Sequence, residues 1–324
     1  MRYRKLGKTG IEVSEIGYGA WGIGGRQWMG GSDDDSLVSL KRAIELGLNF
    51  IDTALAYNEG HSEKLVGQVV KQSGAKVYLA TKVPPKNRIW PAQPGIGIDQ
   101  VFPADYIIES TETSLRNLGV ETVDLQQLHV WNPEWLEREE WRRAFETLKS
   151  SGKARFVGIS INDHQPDSAL ELIKTGLIDT VQVIYNIFDN TPQTSLFPLC
   201  QAHNIGVLAR VPLDEGSLTG SITEATEFDP TEFRAMYFKG DRKKEVMAHV
   251  TALRADLGDS GESLAETALR FCISHPAVST VIPGMRKLSN VESNMGVSAK
   301  GALSEAVLAK LAGHAWHKNY YSAD

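Results

Sequence analysis

Two rhythms alternate along the chain. Short β-branched or apolar runs recur, and each is followed by a stretch whose apolar residues return every three to four positions. The runs at 15–19, 49–53, 76–83, 123–129, 154–160, 180–185, 206–210 and 279–283 are short and bounded, and predict eight buried strands. Between them, Asp33-Asp34-Asp35 caps a segment whose Leu37, Leu40, Ala43 and Ile44 share one helix face. Ser62 and Glu63 open a second helix with Leu65, Val66, Val69 and Val70 on one side. Further helices are expected over 103–118, 136–149, 166–174, 194–203 and 263–274. Strand–helix units repeated without a linker or composition break predict one (β/α)8 TIM barrel spanning 1–324. A doubly wound sheet with a second domain is the alternative.

Four segments depart from this rhythm. Residues 1–14 carry short apolar ends around Gly7-Lys8-Thr9-Gly10 and read as an N-terminal β-hairpin. The Pro/Gly-bearing stretches 84–102 and 212–240 read as long loops at the carboxyl-terminal mouth of the barrel, and 312–324 as an aromatic tail.

Composition narrows the class. At 42% hydrophobic and 23% charged the chain is an ordinary globular protein. Its 34 Lys+Arg against 40 Asp+Glu leave a net charge of −6, unsuited to nucleic acid or an anionic membrane surface. The basic start, Met1 to Lys5, meets Gly, Lys and Thr rather than an apolar core, so no signal peptide is read. No apolar run reaches membrane-helix length. Cys200 and Cys272 have no paired spacing, which excludes a disulfide framework or zinc ribbon. The expectation is a cytoplasmic protein with reduced thiols. Its oligomeric state is open.

A parallel barrel gathers its site at the carboxyl ends of its strands, so the last polar residues carry the chemistry. These are Asp52, Lys82, His129, Ser160, Gln182 with Tyr185, and Arg210, with Tyr57 five residues beyond Asp52. A phenol near its reference pKa of about 10 exchanges protons poorly at neutral pH. A neighbouring Lys82 ammonium would pull Tyr57 down, Asp52 would keep that lysine charged, and His129 could hold a carbonyl oxygen. This is a general acid for carbonyl reduction, and since side chains supply no hydride it implies a nicotinamide or flavin cofactor. A Schiff-base lyase using Lys82 as nucleophile is a second enzyme reading, which the adjacent carboxylate opposes.

At these residues the sequence resembles the aldo-keto reductase family, over nearly its whole length. The resemblance lies in KLGKTGIEVSEIGYGAWGIGG, NFIDTALAYNEGHSEKLVG, LATKV, VDLQQLHVW, ARFVGIS and VIPGMR. It implies a catalytic tetrad of Asp52, Tyr57, Lys82 and His129 and reduction of aldehydes or ketones with NADPH, without a metal. It also implies that Ser160, Asn162 and Gln182 hold the nicotinamide carboxamide. Arg210 stands where many members stack an aromatic ring. Pro212, Leu213 and Asp214 match the segment whose backbone contacts the pyrophosphate, while Gly284, Arg286, Asn290 and Asn294 match the adenosine grip. Arg286 with Lys287 would favour a 2′-phosphate. The family resemblance extends equally to barrel subunits that bind NADPH and act as redox-sensing partners of membrane channels.

Other signals have plainer readings. Gly17 to Gly22 fits G-x-G-x-x-G, but no helix follows directly, so these glycines shape a first mouth loop rather than a dinucleotide fingerprint. Trp21, Trp90 and Trp131 are expected to line an apolar substrate pocket. Trp28, Trp135, Trp316, Tyr320 and Tyr321 could line it or pack a lid. The remaining histidines have no metal-binding spacing.

Overall fold

The computed structural model describes residues 1–23, 25, 30–258 and 261–320. Two strands, β1 (Tyr3–Lys5) and β2 (Glu12–Ser14), form the expected antiparallel hairpin around a 3-10 turn at Gly7–Thr9. The barrel follows as β3 (Tyr18–Gly19), β4 (Phe50–Asp52), β5 (Tyr78–Val83), β6 (Val123–Leu128), β7 (Ala154–Ser160), β8 (Thr180–Ile184), β9 (Gly206–Arg210) and β10 (Val278–Val281). Each strand pairs in parallel with the next. The first and last segments close the ring through parallel bridges at Ile16–Val281 and Gly19–Gly284.

Because both faces of a parallel strand are covered, these strands read as continuous apolar runs. Alternation decides which side chain reaches the axis. In β5, Leu79 and Val83 join the cluster under the helices, whereas Tyr78 and Ala80 join a smaller inner cluster with Phe50, Leu125 and Leu208. Lys82 shares that inward phase. Leu6, Ile11 and Val13 of the hairpin belong to the inner cluster too, and seal the end where strands begin. The seal is tight: Lys8 N–H donates to Asn204 O at 2.7 Å, and a Cβ on Gly7 would fall 2.2 Å from Gly206 N.

Outside the barrel, the helices His61–Ser73 and Ala104–Leu118 approach so closely that a Cβ on Gly67 would meet Leu118 O at 2.2 Å. Fully buried Glu63 fastens both to β5, accepting from Thr81 Oγ1 at 2.6 Å and Asn117 Nδ2 at 2.8 Å. Among the described residues no helix is long and apolar enough to cross a membrane.

Several boundaries differ from expectation. The first helix, Asp33–Glu45, is capped by Ser32, and Asp35 returns the bond as a capping box, so the aspartates form its first turn. The loop expected at 212–240 contains a 3-10 segment at Asp214–Thr219 and a helix at Phe233–Tyr237. Helices at Arg242–Leu257, Leu288–Lys300 and Glu305–Ala312 were not anticipated. The first of these buries Arg242, Val246, Val250 and Leu253. A charged residue heading the buried stripe conceals its period.

Candidate active site

Asp52 closes β4, Lys82 lies one residue from the end of β5, and His129 follows β6. Tyr57 stands on the turn leaving β4, its N–H bonded to Ala54 O at 3.0 Å. Left-handed Asn58, Glu59 and Gly60 then return the chain to its helix. Asp52, Tyr57, Lys82 and His129 converge on one cleft.

Lys82 is completely buried and its ammonium spends all three donors. They reach Asp52 Oδ2 at 2.6 Å, Thr53 O at 2.8 Å and the Tyr57 hydroxyl at 3.3 Å. Asp52 Oδ1 accepts in turn from Gln182 Nε2 at 2.8 Å and Gln127 Nε2 at 3.4 Å. Burial alone would lower the Lys82 pKa, but Asp52 and Tyr57 outweigh it and hold the group above the usual lysine value. An amine kept as ammonium does not attack a carbonyl, which opposes the Schiff-base reading.

The expectation that Lys82 would pull the phenol down needs correction. Burial raises the Tyr57 pKa, Lys82 opposes it, and Asp52 supports it by offsetting the lysine charge, leaving the phenol above its ordinary value. Tyr57 therefore keeps its proton at neutral pH. Burial, then the charges of Lys82 and Arg210, hold His129 well below the usual histidine value and make it a neutral imidazole. Its Nδ1 is buried without a partner among the described residues. The His129 ring meets Tyr57 edge-on at 5.7 Å and Trp90 at 6.0 Å, while Trp21 stacks on Tyr57 at 6.2 Å.

The cleft encloses about 920 Å³ and is lined by Trp21, Trp90, Ser160, Asn162, Gln182, Arg210, Pro212, Leu213, Asp214, Gly284, Arg286 and Asn290. Asn294 lies further along the helix bearing Asn290, buried and away from the lining. Several lining side chains are already engaged. The Asn162 amide ties to Ala92 N and O, both at 3.2 Å, and so fastens the loop after β5. Arg210 is bound to Asp163 and donates to Ile161 O at 2.9 Å. Asp214 accepts from the Tyr237 hydroxyl at 2.6 Å.

Trp131 is a correction. It is fully buried with Trp135 and Trp141, edge-on at 6.1 and 5.5 Å, and its indole N–H donates to Ser168 O. It belongs to the outer core and does not line the cleft. Trp135 and Tyr185 are likewise core residues, and Trp316 packs on Phe188 and His249. Tyr320 reaches the cleft, donating to Asp163 Oδ2 at 2.5 Å. Trp28 and Tyr321 fall outside the described residues. Sequence reasoning missed Gln127, Asp163, Glu215, Phe233 and Arg234, all of which touch the cluster or line the cleft. Only the acidic pair after Leu213 left a signal, being two carboxylates where phosphates were expected.

A closed parallel barrel with a charged lysine–aspartate pair under a protonated phenol, beside a dinucleotide-sized cleft with cationic side chains, defines a class of barrel with an acid–base site at its carboxyl face. Residues 15–315 match the model of the Aldo/keto reductase family, and the chain belongs to that family. It is 31% identical over 303 residues to "Aldo-keto reductase YhdN" of Bacillus subtilis, covering 90% of this chain and 87% of that one. It is 33% identical over 236 residues to an "NADH-specific methylglyoxal reductase" of Escherichia coli, covering 69% and 71%. Among solved structures, the holo form of aldo-keto reductase AKR11C1 from Bacillus halodurans matches with TM-score 0.78 at 28% identity, over 97% and 96% of the two chains.

Proposed function

We propose that this chain is an NADPH-dependent reductase that converts a small aldehyde or ketone to the alcohol, with Tyr57 as proton donor. The observation that carries this reading is the Lys82 ammonium held between Asp52 at 2.6 Å and the Tyr57 hydroxyl at 3.3 Å, on the wall of a cleft. A reduced nicotinamide, when bound, supplies hydride to the carbonyl carbon. Tyr57 gives its proton to the carbonyl oxygen, and Lys82 meets the charge left on the phenolate. Asp52 keeps Lys82 charged. His129, neutral, donates an N–H to the same oxygen and aligns it, while Trp21 and Trp90 exclude water.

Ser160, Asn162 and Gln182 suit the carboxamide end, and Arg210 and the Pro212–Leu213–Asp214 backbone the middle. Gly284, Arg286 and Asn290 suit the adenosine end. Arg286 and Lys287 favour a 2′-phosphate over a free hydroxyl. The NADH-specific relative makes cofactor choice the first test. Fluorescence titration with NADPH and with NADH is expected to show tighter NADPH binding. A carbonyl panel should then show Tyr57→Phe slowed by about 10²–10⁴-fold with cofactor affinity intact. Tight NADPH retention without turnover of any carbonyl would favour a binding role, and binding of neither dinucleotide would overturn the reading.

A further inference from the structure

Besides Asp52, three carboxylates, Asp163, Asp214 and Glu215, line the same cleft. Two are matched: Asp163 by Arg210 and Tyr320, Asp214 by Tyr237 with Arg242 Nη2 at 3.7 Å. Glu215 makes no side-chain hydrogen bond or ion pair among the described residues. It is held with φ of 54°, between left-handed Asp214 at 47° and Gly216 at 111°. Left-handed backbone is strained for a non-glycine residue, and such strain collects where a ligand is clamped.

Glu215 feels Arg210, whose charge also reaches Tyr57, and Arg234, whose charge also reaches Arg286. Glu215 shares the lining of this cleft with Tyr57, Arg210, Arg234 and Arg286. A dinucleotide laid in this cleft with its diphosphate on the Pro212–Leu213–Asp214 segment would meet Glu215, the next residue. An ionised carboxylate there would repel it. Burial, then Asp214 and Asp163, push the Glu215 pKa up to about 8 despite Arg210 and Arg234. A carboxylic acid kept neutral in this way can donate a hydrogen bond to an anion.

We propose that Glu215 is a cofactor-site residue that enters the complex as the neutral acid, donating its O–H to the dinucleotide diphosphate, so that NADPH binding takes up a proton. This rests on the dinucleotide-binding reading above and adds a specific linkage to it. The groups facing Glu215 are Asp163, Arg210, Asp214, Arg234 and Tyr237. The sign follows from linkage: the competent form predominates at pH 7, is half present near pH 8 and is lost as pH rises further. The 2′-phosphate, with its second pKa near 6, is already ionised across this range.

The test is NADPH titration by protein fluorescence from pH 7 to 9, with calorimetry at pH 8 in two buffers of different ionisation enthalpy. Wild type should bind about tenfold more weakly at pH 9 than at pH 7, and take up about half a proton at pH 8. Glu215→Gln, which copies the neutral acid, should change by less than about twofold and take up none. Flat wild-type affinity without proton uptake would overturn the linkage while leaving cofactor binding intact, as would an unchanged pH slope in Glu215→Gln. Failure of wild type to bind NADPH or NADH at any pH would overturn both readings.

Discussion

Lys82 Nζ lies 2.6 Å from Asp52 Oδ2, with both side chains shut away from solvent. Removing one partner of such a pair strands a buried charge and costs about 3–5 kcal/mol, whereas removing both costs much less. Asp52→Asn and Lys82→Met should each lose about that much by urea denaturation, and the double variant less than their sum. All three should lack reductase activity. Additive losses would show that the contact carries no coupling.

Tyr57 holds its proton above the ordinary phenol value because burial and Asp52 outweigh Lys82. A proton donor must be protonated to act, so if Tyr57 serves as proposed, activity falls only as pH rises past its pKa. At saturating NADPH, kcat/KM for the carbonyl should stay level through neutral pH and decline only above about pH 10. His129, neutral well below its usual pKa, should add no limb between pH 6 and 7. An inflection near pH 7–8 would mean that Lys82 dominates Tyr57 after all.

Arg286 lines the cleft beneath the first mouth loop, where a Cβ on Gly22 would lie 3.5 Å from its Cγ. A hydrogen bond to a charged group contributes about 1.5–3 kcal/mol. Arg286→Ala should therefore weaken NADPH roughly 10–100-fold and leave NADH unchanged. Equal losses for both dinucleotides would assign the residue to their shared diphosphate.

Trp131 and Trp90 occupy opposite environments, one sealed in the outer core and the other 39% exposed against His129. Trp131→Ala should cost about 3–5 kcal/mol of stability. Trp90→Ala should cost less than about 1 kcal/mol and act on KM for the carbonyl. Thermal denaturation beside steady-state kinetics separates them.

The barrel was legible because parallel strands with two covered faces write themselves as plain apolar runs, and Ala154–Ser160 and Gly206–Arg210 match the expected bounds. The convergence of Asp52, Tyr57, Lys82 and His129 on one cleft was legible because each sits at or near a strand end. The helix at Arg242–Leu257 was not, since Arg242 stands in its buried stripe. Trp131 follows the site histidine by two residues, yet the chain turns it outward onto Trp141. The direction of the Tyr57 shift was missed because residue types reveal the charge of Lys82, whereas the burial that outweighs it is a property of the assembled site.

The hairpin adds Leu6, Ile11 and Val13 to the side chains of Phe50, Tyr78, Leu125 and Leu208 that already fill the foot of the barrel. Whatever reaches Lys82 and Tyr57 through the cleft must turn back along the way it came. The eleven residues 3–13 thus finish a plug that the strands' own side chains begin, and Lys82 and Tyr57 are reached from the rim, where the cleft lies.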